Sequence, residues 1–220
     1  MPGKPSNKRA CVREKLLFIG VRPVESAGMP FALVLIVLAA GWRLIALQEP
    51  ALSNFSPLMA LAFCGGVYFR SRWQQLAPFA ALCLTDLYID RFYATEFGYE
   101  WSAGGAVLRL LCFAAALGLG LFVASRRSWL NLLNGALGGA LFFYLVTNTA
   151  SWLSDVAYAR TAAGWWQAMT VGLPGFPPTL LFFRNSLVSD LLFTGLFAGA
   201  MEVVALRRGE VSLFASRQTA

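Results

Sequence analysis

Four polar side chains recur inside one apolar stretch at i, i+4, i+7 and i+11: Tyr144, Asn148, Ser151 and Asp155. A helix there would place all of them on one face. A second group, Asn185, Ser186, Ser189 and Asp190, shares a face over the first two turns of another apolar stretch. Arg109, Asp86 and Arg43 stand as isolated charges within three more. Amides, hydroxyls, carboxyls and a guanidinium in this arrangement suit hydrogen-bonded recognition of a small polar molecule. Arg109 would act as its charge partner, and Trp152, Trp165 and Trp166 could stack on a ring or close the pocket. The same set does not suit catalysis. The chain has no His, which removes the commonest general base and a common metal ligand. A zinc intramembrane protease and a Ser-His hydrolase are thereby excluded, no paired acid and base or nucleophile motif is visible, and the expected protein is not an enzyme. Cys11, Cys64, Cys83 and Cys112 lie on separate segments without a CxxC, so neither a metal site nor a resident cofactor is expected, and thiols within helices usually pack as small apolar groups. There is no phosphate-cradling Walker A sequence, so an ATP-driven step would need separate subunits.

These residues sit on a chain built for lipid. Hydrophobic residues make up 58% of its 220 residues and the mean hydropathy is +0.61, too apolar for an ordinary soluble domain. Six apolar stretches cover about 29–47, 55–69, 76–89, 103–124, 129–153 and 185–206. A spanning helix takes about 20 mainly apolar residues. The second and third stretches, at about 14 residues or roughly 21 Å of helix, suggest short helices inside the bundle. They would form a hairpin through Arg70, Ser71 and Arg72; a re-entrant pair is the competing arrangement. The expected fold is all-α, a polytopic bundle of six transmembrane helices. It would occupy residues 27–206, between a basic leader at 1–26 and a tail at 207–220.

Charge sets the orientation. Lys4, Lys8, Arg9, Arg13, Lys15 and Arg22 precede the first stretch; Arg70 and Arg72, then Arg126 and Arg127, then Arg207, Arg208 and Arg217 fall on the same side. The other connections carry only Arg91, Arg160 and Arg184. The positive-inside rule then puts both the N- and C-termini in the cytoplasm. The net charge of +7 is a topology signal, and its scatter over short segments argues against nucleic acid. The leader reads as a topogenic tail whose 15–21 stretch could instead lie along the interface, with no small-residue cleavage site after it. The outer connection 154–184 should hold a short helix at 161–171 carrying Trp165 and Trp166, ended by Pro174-Gly175-Phe176-Pro177-Pro178.

In this topology the intramembrane polar groups gather in the outer half. Asp190 lies about 7 Å and Arg109 about 9 Å from the outer helix ends, at 1.5 Å per residue. Asp86 and Arg43 are near the outer ends of theirs, and only Glu202 sits near the cytoplasmic end. A charge at a helix centre costs roughly 2.5–3.5 kcal/mol, so such groups must pair or face water. Two arrangements meet that demand: ion pairs such as Arg109 with Asp86 or Asp190 that lock the bundle, or a polar cavity open to the outside. The concentration in one leaflet favours the cavity. Small residues at Gly135-x-x-x-Gly139, Gly195-x-x-x-Gly199 and Gly28-x-x-x-Ala32 should allow close helix approach, and the last could instead seat a partner subunit.

Three separated motifs carry a resemblance. Asn54-Phe55-Ser56-Pro57 with Ala60-Leu61-Ala62-Phe63-Cys64-Gly65-Gly66, then Phe142-Phe143-Tyr144-Leu145-Val146-Thr147-Asn148 with Trp152, then Phe182-Phe183-Arg184-Asn185-Ser186-Leu187 with Ser189-Asp190 resemble a family of uncharacterised bacterial integral membrane proteins described as candidate transport proteins. These in turn resemble, more distantly, the substrate-binding S components of energy-coupling factor (ECF) transporters. The resemblance implies an S-component-like six-helix bundle in the bacterial inner (plasma) membrane. It would bind its ligand from outside and pair with a transmembrane coupling subunit and two ATPases. Metal-binding S components begin with an N-terminal His; this chain has none, which argues against cobalt or nickel. The expected function is a binding subunit for uptake of a small polar organic molecule, vitamin- or nucleobase-like, in contact with membrane lipid and without nucleic acid. The expected ligand-binding residues are Asn148, Asp155, Asn185, Asp190, Arg109, Asp86, Tyr144, Ser151 and Trp152. The alternative is a structural or assembly subunit of a larger membrane complex, held by an intramembrane ion-pair cluster.

Overall fold

A computed structural model describes residues 29–69, 71–98, 101–210 and 212–213. The leader with Cys11, Gly28 of the first small-residue motif, Arg70 and the tail from 214 lie outside the described residues. Among the described residues the chain is all helical. It forms α1 (Met29–Ala46), α2 (Leu58–Tyr68), α3 (Arg72–Phe97), α4 (Ala103–Ala124), α5 (Trp129–Ser154), α6 (Ala162–Met169) and α7 (Thr179–Arg207), with one turn of 3-10 helix at Pro50–Leu52. Helices α1, α3 and α5 run toward the end that carries α6. Helices α2, α4 and α7 run back toward the end that carries Arg126. The connections explain where helices start: Ser102, Ser128 and Thr161 accept from the backbone N–H groups of Gly105, Asn131 and Gly164, as N-caps do.

The bundle is built around α2. Its 11 residues make a rod of only about 16 Å, and nearly all of them are buried. It touches α1, α3, α4, α5 and α7. The tightest crossing is with α4. A Cβ added to Gly120 would stand 2.0 Å from the Phe63 carbonyl oxygen, and one added to Gly66 would stand 2.3 Å from that of Leu117. Glycine is required at both positions because the two backbones themselves are in contact. Gly135 of α5 seats the Phe63 ring from another side. At its partner Gly139, and at Gly195 and Gly199, an added methyl would meet nothing within 4 Å. Of the two fully described small-residue motifs, then, only Gly135 packs within the chain.

The third helix departs from expectation. It runs for 26 residues, about 39 Å, and not the short segment that the apolar run implies. The run ends at Ile89 because Asp90, Arg91 and Glu96 are charged. The helix continues because Asp86 and Asp90 are paired, and it stops at Gly98, which takes the left-handed conformation at φ 65°, where only glycine is free of strain.

Helices α4, α5 and α7 are long and apolar enough to cross a membrane, and α1 and α2 are shorter apolar helices. Large apolar side chains point outward along the bundle: Phe122 is 78% and Leu87 is 72% exposed. Trp73 stands exposed toward the Arg126 end, and Trp101 and Trp166 toward the α6 end. A belt of lipid-facing residues bounded by tryptophans fits an integral membrane protein.

Candidate functional site

The polar residues of the α6 end form three arrangements with different roles. The first is an ion-pair chain across α1, α3 and α4. Arg43 meets Asp86 at 2.6 Å, Arg109 meets the other Asp86 oxygen at 2.8 Å, and Arg109 reaches Asp90 at 3.1 Å. Arg43 also donates to the Thr85 hydroxyl. All four charged groups are mostly shielded, and each guanidinium has a carboxylate opposite it. Asp86 therefore acts between two arginines and lines neither of the two cavities that Arg109 borders.

The second arrangement holds the linker between α1 and α2. This linker is irregular, yet it sits against the start of α7. Asn185, 5% exposed, donates through Nδ2 to the carbonyls of Ala51 (2.8 Å) and Ser53 (3.0 Å), and Arg184 donates to its Oδ1 at 3.2 Å. The Ser189 hydroxyl donates to the Ser56 carbonyl at 2.7 Å, and that of Ser186 donates to Asn54 at 3.4 Å. Asp190 completes the same face, its carboxyl beside the Ala60 N–H. That donor belongs to the first turn of α2, where backbone N–H groups lack partners within the helix.

The third arrangement is open space. A cavity of about 190 Å³ is walled by Arg43, Arg109, Asp190 and Ser186, by linker residues 52–56, and by Phe113 and Phe143. A larger one of about 630 Å³ adjoins it and shares Asn54, Arg109, Phe143 and Ser186. Its wall includes Tyr144, Asn148, Ser151 and Ser102. Asp190 lines the first space and Asn148 the second. Asn148 donates to the Tyr144 carbonyl at 2.8 Å, which leaves its amide oxygen for other partners. Tyr144 donates to the Met169 carbonyl and stacks on Phe183, with centroids 4.4 Å apart.

Of the residues expected to bind ligand, Arg109, Tyr144, Asn148, Ser151 and Asp190 therefore border open space. Asn185, Asp86, Asp155 and Trp152 line neither of these two cavities. Asp155 accepts from the Ala157 N–H at 2.8 Å and caps the turn after α5. The Trp152 indole donates to the Ala159 carbonyl at 2.9 Å, and that of Trp165 donates to Thr149 at 3.1 Å. These contacts fold the outer connection onto α5. Beside them burial, and secondarily the Asp155 charge, raise the Tyr158 phenol above its ordinary range. Residues not anticipated include Asp90, hidden by ending the third helix at Ile89, and Asn54 and Phe143, which lie between the two cavities. The spacing of Asp86 and Asp90, one helical turn apart, was the signal available for the first.

At the opposite end Glu202 is fully buried. It accepts from the Tyr68 hydroxyl at 2.9 Å and from the Leu213 N–H at 2.7 Å, and it faces Arg127 at 3.6 Å. The Arg127 guanidinium also lies 5.1 Å over the Tyr68 ring. Among the described residues no group of His, Cys, Asp and Glu could hold a metal ion.

No curated protein and no solved structure matches this chain. A family model does match, over residues 25–212, which takes in every helix described above. The chain belongs to that family, a family of unknown function designated DUF6580.

Proposed function

We propose that this is a six-crossing protein of the bacterial inner membrane, with cytoplasmic termini. It serves as the binding subunit for uptake of a small polar organic molecule, vitamin- or nucleobase-like. The ligand enters from the outer side at the α6 end. Separate subunits, a transmembrane coupling protein with ATPases as in ECF transporters, supply the energy. The observation that carries this reading is the pair of adjoining cavities at one end of the bundle, walled by polar groups from helices that elsewhere face outward with apolar side chains. The larger cavity falls within the roughly 300–1,000 Å³ of small-molecule sites. The distribution of Lys and Arg supports placing that end outside, and the absence of a Walker A sequence supports energy from elsewhere.

A second reading, an assembly subunit of a membrane complex, draws on the ion-pair chain through Arg43, Asp86, Arg109 and Asp90 and on the unpacked glycines of α5 and α7. A thermal-shift screen of vitamins, nucleobases and related metabolites on the purified chain separates the two. The binding reading expects a stabilising compound and no ATPase activity. Asn148→Ala or Asp190→Ala should weaken that compound by about 1–3 kcal/mol, since a buried ligand group loses its partner. A screen without any stabilising compound favours the assembly subunit.

A further inference from the structure

The smaller cavity carries a charge pattern that narrows what it can hold. Asp190 is 5% exposed and borders this space. Its carboxyl lies beside one backbone N–H, that of Ala60, whereas an ionised carboxylate offers about four acceptor sites. Among the described residues no ion pair reaches it. Two arginines border the same cavity, but they do not make it cationic: Arg43 and Arg109 are already matched by Asp86 and Asp90 at 2.6–3.1 Å. The four charges of that chain cancel. Asp190 is left as the cavity's acid without an ion-pair partner among the described residues, beside the partial positive charge of the α2 start. The rest of the wall mixes aliphatic residues, uncharged polar residues and four aromatic residues, Phe55, Tyr93, Phe113 and Phe143. Aromatic faces attract cations and offer nothing comparable to anions.

We infer that the cavity beside Asp190 is built for a compact organic cation, an ammonium or amidinium group whose N–H donors meet the Asp190 carboxylate while its apolar body lies among the aromatic rings. This rests on the binding reading above and specifies the charge class of its ligand. A buried carboxyl without a counter-charge avoids the cost of ionisation by holding its proton, and a cation in this space supplies the counter-charge that favours its carboxylate form. An anionic ligand would face Asp190 directly, and the arginines it could reach already have their charge offset by Asp86 and Asp90.

Three probes of one shape and different charge test this on the full chain in detergent at neutral pH: benzylamine (protonated), benzyl alcohol (neutral) and benzoate (anionic). Benzylamine at about ten times its Kd should raise Tm by roughly 3 °C or more, with little shift from the other two. Asp190→Asn should remove the benzylamine shift. Met59→Trp, which fills the cavity and leaves the carboxyl in place, should remove it as well, so the result does not depend on the folding of one variant. Equal shifts from all three probes, a preference for benzoate, no shift from benzylamine, or a benzylamine shift that survives either substitution overturns the inference. The binding reading is judged separately by the metabolite screen: a neutral or anionic metabolite that stabilises the chain would leave that reading standing while this one falls.

Discussion

Asn185 illustrates what a polar residue inside an apolar helix can be for. Helical spacing places it beside Asp190, and the two look equivalent in the sequence. Their environments separate them. The Asn185 amide satisfies two carbonyls of the linker before α2, groups with no water to turn to if that linker lies below the membrane surface. Asp190 lies beside the Ala60 N–H and lines the smaller cavity. Asn185→Ala should therefore lower stability by about 1–3 kcal/mol, because carbonyls lose their donors. For a chain of this size that is a fall of roughly 2–4 °C in Tm per kcal/mol, read by thermal unfolding in detergent. Asp190→Asn keeps the shape and an acceptor and removes a buried acid that has no ion-pair partner among the described residues, so it should not lower stability. A larger loss from Asp190→Asn than from Asn185→Ala would mean that the roles are reversed. The polar face itself was legible from periodicity. Which member binds backbone was not, since a carbonyl of a distant linker leaves no mark in the sequence.

At the scale of elements, packing around α2 decides which glycines matter. The regular Gly-x-x-x-Gly spacings of α5 and α7 are the conspicuous ones, yet a methyl at Gly139, Gly195 or Gly199 would meet nothing within 4 Å. The decisive pair, Gly66 and Gly120, belongs to different helices and becomes a pair only when α2 and α4 cross. Gly120→Ala places a methyl 2.0 Å from the Phe63 carbonyl oxygen, which backbone cannot yield cheaply. It should cost at least about 1–3 kcal/mol and reduce recovery of folded protein, whereas Gly139→Ala should leave Tm unchanged or slightly raised, since alanine favours helix. Comparing the two Tm values checks this, and equal effects would remove the close crossing. The shortness of α2 was legible, because its apolar run is bounded by Pro57 and the arginines after Phe69. The length of α3 was not. Its charged residues read as the end of a membrane segment, when their partners on α1 and α4 allow the helix to continue among them.

The whole molecule has two chemically distinct ends, and α2 shows why. A rod of about 16 Å cannot cross roughly 30 Å of hydrocarbon, so both of its connections must be satisfied by protein. Toward the α6 end the α7 face supplies donors to the linker. Toward the Arg126 end Gln75 donates to the Phe69 carbonyl at 2.7 Å, and Glu202 gathers Tyr68, Arg127 and the Leu213 N–H. That second end is closed by a carboxylate with its hydrogen-bond partners; the first encloses the two cavities. Net positive charge on the connections of the closed end predicts that it faces the cytoplasm. Single cysteines in a background where the native cysteines are replaced by alanine make the direct measurement. A membrane-impermeant maleimide applied to intact cells should label cysteines substituted for Leu52, Glu96 and Trp165. It should label those substituted for Ser71, Arg126 and Glu210 only after permeabilisation. Position 96 is the most demanding of the six, because it closes the long α3 and fixes the side of both the ion-pair chain and the cavities. Labelling there only after permeabilisation would put the cavities on the cytoplasmic side and leave no outer site for a ligand to enter.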